Sequence, residues 1–328
     1  MLDILNVPSA RNDGLILAES LRSSGLTTYA VRALLASGEL VRIRRGIYAI
    51  GSAWRAAPHD DRYRLFIHAT VLAAEQPLLL SHLSAAALYH LPIIGPWPKV
   101  VHAINNDAAG GSSARFTTSH RSVVEPEPVA VSGCAATSLA RTLIDVAATS
   151  SFLVGVTMMD HALRVEQERA QEERRRGRLS APALGKNDLY TELAAVHPRT
   201  GSVRVRRVID FADALSANPG ESLSRVRIAE LGFQVPELQV RFVVHGRDYW
   251  VDFYWRSVGK MGEFDGALKY TRGAVLGDRD PSDVVIAEKN RENLLRPLAQ
   301  SFDRWDWDTA YSPRRFCDFL VEHDVPRA

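Results

Sequence analysis

The segment Trp250–Tyr270, WVDFYWRSVGKMGEFDGALKY, decides how the carboxy-terminal half of this chain is read. Its period is that of strands. VDFYW and KMGEFDG alternate apolar or aromatic residues with polar ones, and RSVG between them supplies turn chemistry through Ser257 and Gly259. A four-residue connection over Arg256–Gly259 in an antiparallel pair sets Trp255 opposite Lys260 and Asp252 opposite Glu263. Because side chains alternate faces, Asp265 points the same way as Glu263, while Val251, Phe253 and Phe264 point the other way. Like charges set across a strand pair are destabilising. A cluster of Asp252, Glu263 and Asp265 on a largely apolar hairpin therefore calls for a cation between its members.

Working outward, NDLYTELAAV and SVRVRRVIDFADAL read as helices, and Asn218-Pro219-Gly220 breaks the chain before the amphipathic ESLSRVRIAELG, with Glu221 in its first turn. QVPELQVRFVVHG adds a strand ahead of the hairpin. After Tyr270 come an irregular loop, the helix SDVVIAEKNRENLLRPL, a short buried strand RWDW, and a last helix near Pro313–Glu322. Helix, three-stranded meander, helix and final strand make an α/β unit on one mixed sheet. Arg304, Trp305 and Trp307 are expected at its core and edge rather than as base-stacking residues.

The amino-terminal segment has a different logic. LILAESLRSSG reads as a short helix closed by Gly25, and Thr27 or Thr28 caps a second helix, TYAVRALLASG, closed by Gly38. ELVRIRRGIYAI comes next as a basic hairpin turning at Arg44-Arg45-Gly46. This order describes a winged helix-turn-helix, in which the second helix enters the major groove and the hairpin lies on the phosphate backbone. Thr27, Thr28, Tyr29 and Arg32 then face bases, and Arg42, Arg44 and Arg45 face phosphates, on double-stranded DNA.

Between the two, mixed α/β structure runs from Asp60 to about Arg164, with Thr137 and Ser138 capping LARTLIDVAA. Ser81, His82 and His90 invite a nucleophile reading. No acid lies at a recognisable spacing, and a capping serine beside a packed histidine accounts for them. The charge-dense EQERAQEERRRGR reads as a solvated helix or linker, and SAPALGK as a joint. The expected domains are thus 1–55, 56–180 and 181–328.

The 328 residues carry a net charge of +2, too small to indicate a partner without a local basic patch; 46% are hydrophobic and 24% charged, as in globular proteins with sizeable cores. Cys134 and Cys317 belong to no CxxC pattern and read as reduced thiols. MLDILNVPSARND lacks the pattern of a signal peptide, and no apolar run reaches the length of a membrane span. A cytoplasmic location without membrane contact is expected.

Two resemblances add to this reading. Gly25–Ile50, GLTTYAVRALLASGELVRIRRGIYAI, resembles the amino-terminal winged helix of the AbiEi family, the antitoxins of type IV abortive-infection systems. LSHLSAAALYHLPIIG (Leu80–Gly95) and TSLARTLIDVA (Thr137–Ala147) resemble motifs that come after it in that family. This likeness implies a DNA-binding autorepressor, with a cognate toxin or a second copy as partner. The order E…VDF…EFDGALKY…EKNRENLL…RWDW is similar to the very short patch repair endonuclease-like branch of the PD-(D/E)XK nuclease superfamily, over roughly Asn218–Asp308. That likeness implies a restriction-endonuclease-like fold and a Mg²⁺- or Mn²⁺-dependent DNA endonuclease, with Asp252, Glu263 and Glu221 as metal ligands. The superfamily's lysine normally lies two residues after the second acid. Asp265 stands there instead, and Lys269 is the nearest lysine, so catalysis turns on Lys269. The alternative is an AbiEi-like antitoxin and autorepressor whose nuclease-fold domain is inactive and serves binding.

Overall fold

A computed structural model describes residues 14–105, 113–179, 181–196, 198, 200–266 and 289–328. The chain is of mixed α/β class and divides into two compact units, Met1–Ser150 with Lys186–Arg206, and Ser151–Gly185 with Arg207–Ala328.

In the first unit, strand β1 (Leu15–Leu17) leads into helix Ala18–Ser23, and helix Thr28–Ala36 into the hairpin of β2 (Leu40–Arg44) and β3 (Ile47–Ile50). Leu15 is thus not the start of a helix. Leu15 and Ile16 are buried, and Leu15–Leu17 pairs antiparallel with Ile47–Ala49, giving the order β1-β3-β2. Three apolar residues beside a ready strand edge gain more from pairing than from an added helical turn. Ile16, Leu21, Leu34 and Leu40 form one small core. Leu15 and Ile47 close on Ala69 of helix His59–Leu72, so the hairpin packs against that helix.

The rest of this unit is a six-stranded sheet of β4 (Leu79–Leu80), β5 (Val101–Ile104), β6 (Ser113–Ala114), β7 (Thr117–His120), β8 (Val129–Val131) and β9 (Cys134–Ala136), in the order β6-β7-β5-β4-β9-β8. Helices His82–Leu88 and Leu139–Thr149 belong to it, the latter capped as expected by Ser138, whose hydroxyl accepts from the Arg141 N–H at 3.2 Å.

The second unit is built on β10 (Glu237–Val244), β11 (Arg247–Trp255), β12 (Lys260–Asp265) and β13 (Ser301–Asp306), adjacent in that order. β10–β11 and β11–β12 are antiparallel and β12–β13 parallel, the mixed sheet the sequence implies. Trp255 does pair with Lys260. Val251, Phe253 and Trp255 are buried in alternation, and Phe253 and Trp305 stack at 5.1 Å between ring centres. Trp305 also donates to Ser224 Oγ at 2.8 Å from inside the core, whereas Trp307 begins the helix Trp307–Tyr311. A Cβ on Gly262 would stand 2.6 Å from the Trp305 ring, so glycine is what lets this tryptophan lie across the sheet.

This unit also takes in helix Phe152–Arg175, which the sequence reading assigns to the middle segment. The physical reason is Asp160. Fully buried, it accepts from the Arg225 guanidinium at 2.9 and 2.7 Å, from Ser222 at 2.8 Å and from the Asp213 N–H at 2.7 Å. Burial pushes its carboxyl upward and the guanidinium holds it down. Removing one partner of such a pair strands the other charge out of water. Asp160→Ala should therefore lower unfolding stability by about 3–5 kcal/mol. Chemical denaturation should show Asp160→Leu/Arg225→Met recovering most of that loss; a double variant as unstable as the single one would contradict this account.

Candidate nucleic-acid face and carboxylate site

Helix Thr28–Ala36 presents its amino-terminal half outward. Thr27 caps it, accepting from the Ala30 N–H at 3.2 Å, and Thr27, Thr28, Tyr29 and Arg32 are all exposed, Tyr29 by 83%. An aromatic ring left this far in water is a feature of binding faces rather than of cores. In the hairpin, Arg42 and Arg45 are exposed. Arg44 is placed differently from the expectation that it lies at the hairpin's outer face. It donates to Thr70 Oγ1 at 2.7 Å and lies over the Phe116 ring at 4.1 Å, held against its own unit.

In the second unit the carboxylates meet where the sheet forks. The β11–β12 register ends at Phe253 and Gly262. One residue further on, Asp252 Oδ2 accepts the Phe264 N–H at 3.1 Å, so a side chain continues the ladder that the backbone leaves. Gln239 lies between the register pairs Leu238–Phe253 and Val240–Val251 of β10 and β11. Its amide donates to Asp252 Oδ1 at 3.2 Å and to Glu221 Oε2 at 3.4 Å. Its φ of +47° is a strained conformation for a non-glycine strand residue. Glu221, in the first turn of helix Pro219–Glu230, also accepts from the Ala217 N–H and from Asn218. Burial, then the Asp252 charge, pushes Glu221 up to about 8.

Glu263 is buried too, and its two oxygens take Arg291 and Arg304, the latter at 2.9 Å. Burial raises its pKa, the Arg291 guanidinium opposes this, and Asp252 raises it further. Asp252 is thus within electrostatic reach of both glutamates. Asp265 is exposed and pairs in register with Asp306 of β13. Lys260 is turned away to the His323 carbonyl at 2.7 Å, and Lys269 lies outside the described residues. Among the described residues, no three His, Cys, Asp or Glu side chains are arranged to hold a metal ion.

Sequence reasoning singles out Asp252, Glu221 and Glu263 and offers Arg291 as a counter-charge for such a face, as the bond from Arg291 to Glu263 has it, but it misses Gln239 and Arg304 as groups that touch these acids. A glutamine or an arginine on a strand carries no local signature; only the fold brings it to the acids. It also missed a stack of imidazoles in the first unit. His82 and His120 lie 3.6 Å apart between ring centres, and His102 Nδ1 meets His120 Nε2 at 2.8 Å. His82 Nδ1 and Ser81 Oγ are 2.9 Å apart, so that serine hydroxyl serves the ring instead of capping its helix. Ser81 and His82 are fully or almost fully buried, with the ion pair Arg141–Asp145 in the same unit.

A family model described as transcriptional regulator, AbiEi antitoxin, matches residues 9–51, which include the exposed helix and the basic hairpin. Two uncharacterised proteins of Mycobacterium tuberculosis, from strains CDC 1551 / Oshkosh and ATCC 25618 / H37Rv, are each 27% identical over 190 residues. Those matches cover 53% of this chain and 64% of each relative, so the chain spans under two thirds of the length of the proteins it matches. No helix among the described residues is long and apolar enough to cross a membrane.

The histidine stack sets a pH dependence. Burial first, then the neighbouring imidazole, lowers His102 to about 4, and His82 and His120 are lowered as well. Neutral imidazoles are favoured in the fold, so stability is present above the unfolded value near 6.5 and is lost as pH falls through about 4. Asp145, pushed up to about 6 by burial, acts in the opposite sense and offsets part of this loss in acid. The thermal midpoint should fall between pH 6.5 and 4.5, and less so for His120→Phe, which keeps a ring in the stack without a titrating nitrogen. Parallel curves for the two proteins would remove the stack as the cause.

Proposed function

We propose that this chain is a DNA-binding transcriptional regulator of the AbiEi antitoxin type, whose first 55 or so residues act as a winged helix-turn-helix on duplex DNA. The exposed set Thr27, Thr28, Tyr29 and Arg32 on one helical half, beside Arg42 and Arg45, carries this reading. Helix residues there reach base edges, and hairpin guanidiniums reach phosphates. A cytoplasmic location goes with it, and the partner it implies is a toxin under the same control. Arg44 serves the hairpin indirectly, by fixing its pitch against Thr70 and Phe116. On an operator fragment, Arg42→Ala/Arg45→Ala should weaken binding across sequences and reduce the log–log salt slope by about 2. Tyr29→Ala should instead reduce discrimination between operator and random duplex. An unaltered salt slope in the arginine variant would take the hairpin off the DNA.

A second reading concerns the other unit, as a nuclease-like domain in the PD-(D/E)XK manner. Its support is that Gln239 gathers Glu221 and Asp252 on one amide nitrogen, Nε2, which donates to both. These two carboxylates fit a hard divalent cation, since Mg²⁺ is held through one or two carboxylates and keeps its waters. Glu263 fits less well, because both its oxygens are engaged by Arg291 and Arg304. When bound, Mg²⁺ supplies charge neutralisation at a phosphate and an activated water. This chain's own residues do the rest: Glu221 and Asp252 hold, the Phe264 N–H and Gln239 orient, and Arg291 and Arg304 stabilise anionic charge alongside. Purified protein with Mg²⁺ or Mn²⁺ should nick plasmid, and Asp252→Ala should abolish this. Activity surviving in Asp252→Ala, or none in the wild type with either metal, would leave this domain as a binding module of the regulator.

A further inference from the structure

The carboxylate site continues along its strand into an exposed surface. On β11, Trp250 stands two residues before Asp252, on the stretch of strand whose Tyr249 and Val251 face the core. Its indole is 48% exposed. The register places Arg241 of β10 opposite Trp250, and Val243, 60% exposed, opposite Asp248 one step further out. The other face of the same ribbon is occupied in the ordinary way, since Phe242, Tyr249 and Val251 pack into the core with Met261, Leu295 and Phe302. The hairpin is thus two-sided, with aromatic residues on both faces and core behind only one.

Three features bear on what the outer face takes. A large indole left half in water, next to a branched aliphatic side chain, favours a flat partner that excludes that water. Arg241 across the strand pair is more than half exposed and is balanced by Asp248 at 2.7 Å, while Arg247 at the turn is also exposed, so the tip carries an excess of positive charge. Finally, one guanidinium joins this surface to the carboxylates. Arg291 donates to the Trp250 carbonyl at 2.9 Å and, through its other nitrogen, to Glu263. Trp250 is therefore held in register with the site rather than placed at random along the ribbon. A planar apolar ring, a neighbouring guanidinium and a positive turn match a polyanion that carries planar rings, a nucleic-acid strand with unpaired bases.

We infer that Trp250 and Arg241 form a stacking platform for a single-stranded stretch of nucleic acid, which leads its backbone toward Asp252 and Glu221. Trp250 stacks on a base, Arg241 neutralises the adjacent phosphate, and sequence preference is weak because every base offers a face. The platform rests on the nuclease-like reading of this unit and deepens it by naming the substrate form that site would meet. Its binding does not depend on a metal, so the two can fail separately.

The test uses the full chain carrying Arg42→Ala/Arg45→Ala, which silences the amino-terminal face, in EDTA. Fluorescence anisotropy with a labelled oligothymidylate should show Trp250→Ala binding about tenfold more weakly, with Trp250→Phe close to the unsubstituted indole and Arg241→Ala weaker and less salt-sensitive. A fully paired duplex should distinguish these variants little. Oligothymidylate affinity unchanged in Trp250→Ala overturns the platform. So does a loss that Trp250→Phe does not restore, which would mark a structural role. Sedimentation that shows Trp250→Ala dissociating a dimer would assign the face to a second copy and overturn it as well. Metal-dependent nicking absent from the wild type, with oligothymidylate binding intact, removes the nuclease reading and leaves the platform standing.

Discussion

A carboxylate sealed from water has to be answered by donors on every side, and in the second unit that demand falls on Asp160. Its four hydrogen bonds come from three residues: Arg225 and Ser222 on one helix, and the backbone at Asp213. The helix that carries Arg225 also carries Glu221 in its first turn. Fixing Asp160 therefore fixes where Glu221 meets Gln239 and Asp252. The same helix closes on the sheet at Gly220, where a Cβ would stand 1.9 Å from the Phe264 ring, and at Ser224, which receives Trp305. One ion pair between distant helices thereby sets the geometry of a carboxylate site in which it takes no part.

The two acidic centres show how charge is met by different means. Glu263 is answered by two guanidiniums, and so is balanced within the fold. Glu221 and Asp252 share a neutral amide, and burial first, then the Asp252 charge, raises the pKa of Glu221. Both arrangements hold acids in place, one through guanidiniums and the other through the shared amide nitrogen of Gln239.

How much of this was legible in the sequence depends on whether the determinant was local. The Trp255–Lys260 register could be read because turn length and alternation fix it. The helix at Thr28–Ala36 could be read because Thr27 and Gly38 mark its ends. The mixed sheet could be inferred from the order of its elements. Leu15–Leu17 was misread, because its conformation is decided by its distant strand partner, Ile47–Ala49. The attachment of Phe152–Arg175 to the second unit was hidden for the same reason, since an Asp inside a helical pattern does not announce an arginine 65 positions later. For the candidate site, the acids stand out by type and order and Arg291 by its charge, whereas Gln239 and Arg304 gain meaning only through proximity.

The inward turn of Arg44 has a consequence for how this protein can vary. Bound to Thr70 and lying over Phe116, it makes the basic hairpin part of the sheet domain behind it. A hairpin fastened in this way is not a portable cassette. Grafted onto another chain without a hydroxyl and an aromatic ring in those two places, the hairpin would lose the brace that sets its angle. Recombination that preserves the hairpin's setting must then carry the segment through at least Phe116 with it, and drift at Thr70 or Phe116 would be felt at a surface neither residue touches.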